Sequence, residues 1–295
     1  MSARDATGDF TAHRSLLFTV AYEILGSAAD AEDVLQETWL RWSARTQENK
    51  AAEIRDPRAY LVQIATRQAL NRLRTQQRRR ETYVGPWLPE PLLTAPDVAE
   101  DVELADSVST AMLLVLETLG PTERAVFVLR EVFDVPYDEI AEAVEKSQDA
   151  VRQIAHRARS HVQARRPRHE VTAAERDRVM ERFLTAAATG DVQSLLDVLS
   201  PDVVLVTDGG GHRKAALRPI HGRDKTVRFL VGVTEGPLAG DVVWVNGAPA
   251  ITFRIDGELD TVITFLIEDG LVTGLYALRN PEKLARLGQV VDLAR

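Results

Sequence analysis

The sequence predicts a multidomain protein in which two all-α domains precede an α+β domain. Apolar residues recur at helical spacing up to about Arg80, and again from Val108 to about Arg168. Beyond residue 190, short β-branched runs alternate with Asn-Gly and Asp-Gly pairs, which are hairpin turns by residue type. We therefore expect domains at residues 1–80, 108–170 and 171–295, with a linker at residues 81–107.

The first domain is predicted to contain three helices that differ in charge. Ser27 or Asp30 can cap the second helix, and Asp56-Pro57 opens the third. The second helix is acidic and carries Trp39 and Trp42, of which one is expected in the core and the other on a protein-binding face. From Lys50 to Arg80 there are nine Lys or Arg and two acidic residues. This basic helix suits phosphate neutralisation, although a solvated amphipathic helix is the alternative.

The linker combines four prolines with an apolar cluster. Repeated proline favours an extended course. A purely solvated linker has little use for Trp87, Leu88 and Leu92, so we expect it to dock on another surface. Gly209–Gly211 can adopt positive φ and permit a close approach, which makes this loop a plausible contact for the linker. The alternative for the glycines is a simple flexible turn.

A helix-turn-helix pattern occupies the second domain. Residues Pro136–Val144 form its first helix, Ser147 caps its second, and no acidic residue occurs between Asp149 and Glu170. Arginine and glutamine near the start of the second helix suit bidentate hydrogen bonds with guanine and adenine. The residues expected to face DNA are Gln148, Asp149, Arg152, Gln153 and Arg157. An ordinary helical hairpin with a solvated basic face is the alternative.

The composition of the chain excludes several kinds of site and several classes of protein. The chain has a net charge of −8 and no cysteine, which excludes disulfides, thiolate metal sites and a cysteine nucleophile. We see no signal peptide and no apolar stretch of the roughly 20 residues that a bilayer requires. A cytoplasmic protein with no cofactor, metal site or membrane contact is therefore expected.

Two segments carry a resemblance to a known family: Tyr22–Trp42, continued at Asp56, and Glu117–Arg165. They look like regions 2 and 4 of extracytoplasmic-function (ECF) sigma factors, and the resemblance covers about the first 170 residues. The resemblance implies binding to core RNA polymerase, through the β′ clamp helices and the β flap, and to promoter DNA. It implies polymerase contacts at Asp30, Asp33, Glu37 and Trp39, a −35 element bound by the helix-turn-helix, and −10 contacts at Arg67, Asn71, Arg72 and Arg74. The family's usual Asn and Asp fall at Arg67 and Asn71, a departure that affects the −10 preference.

The third domain resembles the SnoaL-like branch of the NTF2-like cone fold. Sigma factors with this extension share a Trp-Leu-Pro-Glu-Pro linker, an Asp-Gly-Gly-Gly-Lys motif and a closing Asn-Pro-(Asp/Glu)-Lys-Leu motif. They match here at Trp87–Pro91, at Asp208–His212 with His in place of Lys, and at Asn280–Leu284. The resemblance implies that the extension regulates the sigma core in cis, without a separate anti-sigma factor. The residues assigned to this regulation are Trp87, Leu88, Pro89, Asp208, Gly209, Gly210, Gly211 and His212.

The sequence thus predicts a sigma factor that is not an enzyme, and two alternatives remain. One is a helix-turn-helix regulator that does not join polymerase. The other is a SnoaL-like enzyme or ligand sensor fused to such a regulator. Acid–base groups on the cone could serve catalysis, and four aromatics could line a pocket. These groups are Asp208, His212, His221, Asp224 and Tyr276, and the aromatics are Trp244, Phe253, Phe265 and again Tyr276.

Overall fold

The computed structural model describes residues 3–47, 54, 56–96, 98, 101–165, 171–233 and 240–294. The chain separates into two compact units. Unit 1 comprises Met1–Glu81, Asp97–Arg166 and Val291–Arg295, and unit 2 comprises Thr82–Pro96 and Pro167–Val290. The predicted linker is therefore divided, and its proline-rich half belongs to the same unit as the C-terminal sheet.

The described residues of unit 1 form helices joined by turns and loops, with no strand among them. Its long N-terminal helices pack on one another through a core that includes Leu17, Trp42 and Leu61. A π-helical segment, Val128–Val132, continues the sixth helix. The helices are α1 (Ala3–Leu25), α2 (Ala28–Gln47), α3 (Pro57–Arg80), α4 (Val102–Val108), α5 (Thr110–Leu116), α6 (Pro121–Phe127), α7 (Tyr137–Val144) and α8 (Gln148–Gln163).

The predicted helix starts in the first domain agree with the structure. Ser27 Oγ accepts a hydrogen bond from the Asp30 N–H at 3.2 Å, so Ser27 caps α2. Asp56 Oδ1 accepts from the Ala59 N–H at 3.1 Å, and Pro57 is the first residue of α3. Each cap satisfies an amide that has no partner inside its helix, which is why these residues begin the helices.

The expectation of an extended course through the whole linker is wrong at its C-terminal end, where α4 forms. The four prolines of the linker all precede residue 97, so no proline interrupts the chain between that point and the end of α4. Asp101 Oδ1 accepts from the Leu104 N–H at 3.1 Å and caps the helix, and Leu104 and Val108 are buried.

The helix-turn-helix has the predicted turn and cap. Helix α7 ends at Val144, and its C-cap Glu145 adopts a left-handed φ of 57°. Ser147 Oγ then accepts from the Ala150 N–H at 3.3 Å and caps α8. The apolar face of α8, with Val151, Ile154 and Ala158, is buried, and this fixes which residues of the helix face outwards.

Unit 2 contains a six-stranded sheet with helices on one face, which is the predicted α+β plan. The strand order is β2-β1-β6-β5-β4-β3, with β1 parallel to β6 and the other pairs antiparallel. The strands are β1 (Leu199–Asp208), β2 (Ile220–His221), β3 (Gly240–Val245), β4 (Ala248–Ile255), β5 (Glu258–Glu268) and β6 (Leu271–Leu278). The helices are α9 (Ala173–Thr189), α10 (Val192–Val198), α11 (Arg223–Val233) and the single turn α12 (Pro281–Leu284).

Three tight hairpins build most of this sheet, as predicted from their residue pairs. Asn246-Gly247, Asp256-Gly257 and Asp269-Gly270 all have positive φ at both positions. This geometry matches the twist of the flanking strands. Side chains from α9 and α10, including Phe183 and Leu195, fill the space over the sheet.

No described helix is long and apolar enough to cross a membrane.

Candidate nucleic-acid interface and linker clasp

The outer face of α8 presents every residue that the sequence assigns to the −35 element. The five side chains are all exposed, and they lie opposite the buried apolar face of the helix. Arg152 stands 3.7 Å from Asp149 and its guanidinium lies 5.7 Å from the ring of Tyr137. These neighbours orient Arg152 without burying it, so it can still reach a ligand. Arg166 and Arg168, at the end of the arginine run, lie outside the described residues.

On α3, some of the predicted −10 residues are exposed, whereas others bond to neighbouring helices. Asn71 and Arg74 are exposed and lie 3.4 Å apart through Asn71 Oδ1 and Arg74 Nη1. Arg67, in contrast, donates from Nη2 to the Glu142 carbonyl oxygen at 2.7 Å, and its Nε lies 3.8 Å from Glu145 Oε1. The basic stretch before α3 falls largely outside the described residues.

Arg72 connects the predicted DNA face with the predicted polymerase face. Its Nη1 donates to Asp30 Oδ1 at 2.7 Å and to Asp33 Oδ2 at 2.8 Å, and its Nη2 donates to Glu37 Oε1 at 3.1 Å. Gln76 also donates to Asp30. Three of the four residues assigned to polymerase binding are therefore partners of one arginine that was assigned to DNA.

Of the two tryptophans of α2, one is buried and the other is partly exposed, as expected. Trp42 is fully buried in the core of unit 1. Trp39 is half-buried against Phe10, with the ring centroids 5.2 Å apart, and its neighbour Leu40 is 65% exposed. Trp39 and Leu40 thus give the acidic helix an accessible apolar element of the kind that anchors protein interfaces.

A buried polar network lies deeper in unit 1. Ser107 Oγ donates to Glu23 Oε1 at 2.8 Å, and Arg124 Nε donates to the Glu23 carbonyl oxygen at 2.8 Å. Arg124 and Arg80 both pair with Glu117. Burial, as the largest cause, raises the pKa of Glu23 to about 8 and lowers that of Arg124 to about 9. The network joins α1 and α3 to α4 and α6.

In unit 2, the linker is held by a buried carboxylate at the end of β1. Asp208 Oδ1 accepts from the Tyr83 hydroxyl at 2.6 Å and from the Gly210 N–H at 3.0 Å. Its Oδ2 accepts from the Leu88 N–H at 2.9 Å and from Lys283 Nζ at 2.7 Å. Burial and the bond to Asp208 raise the pKa of Tyr83 well above its usual value, so this hydroxyl remains a donor.

Lys283 completes this group, which we call the linker clasp (Tyr83, Trp87, Leu88, Asp208 and Lys283). The side chain is 4% exposed. Its Nζ donates to the Leu88 carbonyl oxygen at 2.6 Å and lies 3.2 Å from the ring centroid of Trp87. A buried ammonium group needs such partners, because removing a charge from water is costly unless it is paired. The clasp therefore joins the linker, β1 and α12 in one polar cluster.

The glycine loop packs closely against the closing motif. Gly210 has a φ of 59°, and a Cβ on it would lie 2.3 Å from Asn280 Nδ2. Asn280 Nδ2 in turn donates to the Tyr83 hydroxyl at 2.8 Å. Only glycine fits position 210, since both its backbone conformation and the space around it exclude a side chain. His212 is exposed and lies 3.5 Å from Glu282.

Further along the linker, residues Leu92–Thr94 pair with the end of β3. The Leu92 N–H donates to Asn246 Oδ1, and the Asn246 N–H donates to the Leu92 carbonyl oxygen, both at 2.9 Å. The Thr94 N–H donates to the Trp244 carbonyl oxygen at 3.0 Å. The linker thus contacts the sheet at two places, the clasp and the edge of β3.

Sequence reasoning did not select Tyr83, Asn246, Asn280 and Lys283 as site residues. Lys283 and Asn280 stand in the closing motif, and Tyr83 stands beside the apolar linker cluster, so a signal was present for three of the four. Asn246 was identified only as a turn residue. Its second role, as acceptor for Leu92, depends on which segment lies at the edge of the sheet.

The acid–base groups of the cone are dispersed. Asp208 belongs to the clasp, while His221 and Asp224 are exposed at β2 and α11. Among the described residues, no hydrogen bond or ion pair joins any two of the five candidates, and no cluster of His, Asp or Glu could hold a metal. Phe253 is part of the core, and Phe265 packs on Phe183 with the ring centroids 5.2 Å apart.

Comparisons with known proteins identify the helical domains. Residues 10–79 match the family Sigma-70 region 2, and residues 109–162 match Sigma-70, region 4. The chain is 37% identical to the ECF RNA polymerase sigma factor SigJ of Mycobacterium tuberculosis, over 93% of this chain and 92% of that protein. The chain belongs to the ECF family of RNA polymerase sigma factors.

The likeness extends to the C-terminal domain. The sigma factor is 32% identical to the probable ECF RNA polymerase sigma factor SigI of the same species, over 96% of this chain and 97% of that one. The crystal structure of M. tuberculosis SigJ matches with a TM-score of 0.76 at 35% identity, covering 95% of this chain and 98% of that chain. The two sigma domains of this chain imply binding to RNA polymerase and promoter DNA, which decides against a regulator that does not join polymerase.

Proposed function

We propose that this sigma factor directs initiation by placing the exposed face of α8 on the −35 element and α3 on the −10 element. The observation that carries the proposal is the outer face of α8, where all five predicted residues are exposed on a helix whose other face is buried. Arg152 and Gln153 are suited to bidentate contacts with base edges. Arg157 lies one turn further along and is suited to a phosphate.

The polymerase contact would use α2. Asp33 and Glu37 keep side-chain exposures of 50% and 44% while they bond to Arg72, so both carboxylates remain partly accessible. Trp39 and Leu40 supply apolar area beside them. This combination supports docking on the β′ clamp helices, with region 4 near the β flap. The location would be cytoplasmic, where polymerase and promoter meet.

The C-terminal domain would regulate the sigma core through the linker clasp, with no separate anti-sigma factor and no catalytic step. The clasp fixes Tyr83–Leu88, which lie a few residues after the C-terminal end of α3. A linker held in this way restricts the separations that the two DNA-binding domains can adopt, because effective concentration depends on linker length and freedom.

Run-off transcription tests the promoter function. Core RNA polymerase and the full chain are added to genomic fragments, and the start sites are mapped. We expect specific initiation that depends on the chain. No initiation with any fragment would contradict the proposal.

The variant Lys283→Gln tests the regulatory role. Loss of the buried charge removes a partner of Asp208 and Leu88, so we expect faster hydrogen exchange at the Leu88 amide together with altered run-off activity. Lys225→Gln, at an exposed position of α11, is the matched control and should change neither. Faster exchange at Leu88 with unaltered transcription would show that the clasp is structural only.

A further inference from the structure

The turn between β3 and β4 differs in burial from the other two tight hairpins of the sheet. Asn246-Gly247 is buried, whereas Asp256-Gly257 is exposed and Asp269 is exposed as well. The first two pairs have nearly the same backbone conformation, with φ of 55° and 72° in one and of 53° and 83° in the other. Their difference in burial therefore arises from the surroundings of the turn and not from its conformation.

The linker bonds to both the main chain and the side chain of this turn. The Leu92 N–H donates to Asn246 Oδ1, and the Leu92 carbonyl oxygen accepts from the Asn246 N–H, both at 2.9 Å. The Gly247 N–H donates to Thr94 Oγ1 at 3.1 Å. Leu92, Thr94 and Asn246 are each at most 3% exposed, so solvent has little access to these bonds.

An asparagine followed by glycine is prone to spontaneous deamidation, because glycine has no side chain to hinder attack by its nitrogen. In that reaction the backbone nitrogen of Gly247 attacks Cγ of Asn246 and gives up its proton, and Nδ2 leaves as ammonia. One C–N bond forms and one breaks, without any change in oxidation state, and the product is a five-membered succinimide. Water then opens either carbonyl of the ring, which gives aspartate or isoaspartate.

The linker engages both groups that this reaction needs. The nucleophile is the Gly247 nitrogen, whose proton is held by Thr94. The electrophile is the Asn246 carboxamide, whose oxygen is held by Leu92. Ring closure requires the two groups to turn toward each other, and this rotation breaks hydrogen bonds to the linker. Donation to Oδ1 would by itself activate the carbonyl carbon, so the protection depends on the fixed orientation and on the exclusion of water.

We propose that Asn246-Gly247 is a latent self-modification site, which the docked linker protects and which deamidates when Leu92–Thr94 leave the end of β3. The reaction proceeds from the open fraction, so its rate reports how often this contact opens. Isoaspartate adds a methylene to the main chain, which a two-residue hairpin turn of this type does not accommodate. A transient release of the linker thereby becomes permanent. The inference goes beyond the proposed function, because neither the reaction nor its readout involves promoter or polymerase.

The first experiment uses an exposed copy of the same residue pair as an internal standard. Asp256→Asn places asparagine before Gly257 in an exposed hairpin of the same sheet. The full chain with this substitution is aged at mildly alkaline pH, digested with pepsin in acid, and analysed by mass spectrometry for deamidated peptides. We expect deamidation at position 256 to be at least about tenfold faster than at Asn246, since a protected site reacts only when it opens. Equal rates at the two positions would overturn the proposal.

The second experiment tests whether the linker is the protecting element, with both variants carrying the internal standard. Thr94→Val removes the acceptor of the Gly247 N–H, so deamidation at Asn246 should accelerate about fivefold. Thr94→Ser retains the hydroxyl and should react at the parent rate. Thr252→Val is the matched control, because it removes a buried hydroxyl of the same hairpin that donates to Asp241. Equal acceleration by Thr94→Val and Thr252→Val, or none by Thr94→Val, would show that the rigidity of the hairpin protects Asn246 and not the linker.

The third experiment examines the deamidated product of the unsubstituted chain. This product carries one more negative charge than the parent and is separated from it by anion exchange. Hydrogen exchange should show lost protection at the Leu92 and Thr94 amides, which bond to the end of β3, and retained protection at the Leu88 amide in the clasp. Unchanged exchange at Leu92 and Thr94 would contradict a permanent release of the linker. Loss of protection at all three amides would show general unfolding and would likewise contradict it.

Discussion

The two basic helices of the sigma core, α3 and α8, differ in what their arginines contact. On α8, Arg152 and Arg157 are exposed on an outward face. On α3, Arg67 and Arg72 donate to acceptors on α7 and α2. Both helices are basic in sequence, so charge alone does not distinguish a free DNA-binding face from one that is already occupied.

The difference arises from the neighbouring helices. Acidic α2 and α7 flank α3. Beside α8, Glu131 accepts from Arg159, and this pairing leaves Arg152 and Arg157 on the outward face. An arginine bonds to a carboxylate or carbonyl oxygen that the fold places within reach, and such bonds are strong because the donor is charged. The state of a basic helix therefore depends on residues that lie elsewhere in the chain.

The largest effect that we expect concerns the buried group that helps to hold α1 and α3 beside region 4. Glu23 has a folded-state pKa of about 8, against 4.5 when exposed, so the folded state binds a proton that the unfolded state releases. The free energy of unfolding of unit 1 should fall as pH rises from about 5 to 8, by the order of a few kcal/mol. Below this window the contribution is complete, and above it no further loss occurs.

Hydrogen exchange of the α1 and α6 amides across this pH range measures that stability. Glu23→Gln is the matched variant, because its amide stays neutral and should flatten the dependence. The charged groups around Glu23 are Arg124 and Asp106, and both are retained in the variant. Identical pH dependence in the parent and in Glu23→Gln would show that Glu23 is not responsible.

The next effect concerns α8, the helix whose arginines are exposed. Arg152→Ala should lower run-off initiation about tenfold to a hundredfold, since a bidentate base contact contributes about 1–3 kcal/mol of discrimination. Arg178→Ala removes an exposed arginine of α9 and should leave initiation unchanged. Wild-type initiation by Arg152→Ala would mean that α8 does not read the promoter through this residue.

A smaller effect concerns α3, the helix whose arginines bond to neighbouring helices. A double-mutant cycle between Arg72→Ala and Asp30→Ala should give a coupling energy of about 1 kcal/mol in urea denaturation, because this pair is only partly exposed. The exposed neighbour Arg74→Ala, combined with Asp30→Ala, should give none. Equal coupling energies for Arg72 and Arg74 would indicate that Asp30 acts through long-range electrostatic attraction and not through its contact with Arg72.

The smallest effect concerns phosphates. Arg157→Ala should weaken DNA binding similarly at all sequences and reduce the salt dependence of the binding constant by about one unit of slope. Titration at several salt concentrations measures this. A sequence-dependent loss would assign Arg157 to a base edge.

Much of the fold was predictable because local chemistry specifies it. The caps at Ser27, Asp56 and Ser147 and the three Asn-Gly or Asp-Gly hairpins each satisfy backbone requirements within a few residues. The contacts of α3 were not predictable in this way. Arg72 bonds to Asp30, 42 residues away, and Arg67 bonds to Glu142, 75 residues away. Family resemblance supplied the role of each helix, but only the fold shows which acceptors lie beside which arginines.

The pairing of Leu92–Thr94 with β3 limits how the chain can be divided into fragments that fold. Unit 2 is assembled from two segments that are separated in sequence by region 4, so one cut cannot release it whole. A fragment that begins at Thr172 leaves the end of β3 without its neighbour, and the complementary fragment carries Leu88 and Leu92 without the sheet that receives them. Unprotected strand edges pair with other chains and aggregate. Soluble pieces of this protein should therefore retain both segments of unit 2, with the early one fused to or co-expressed beside the late one.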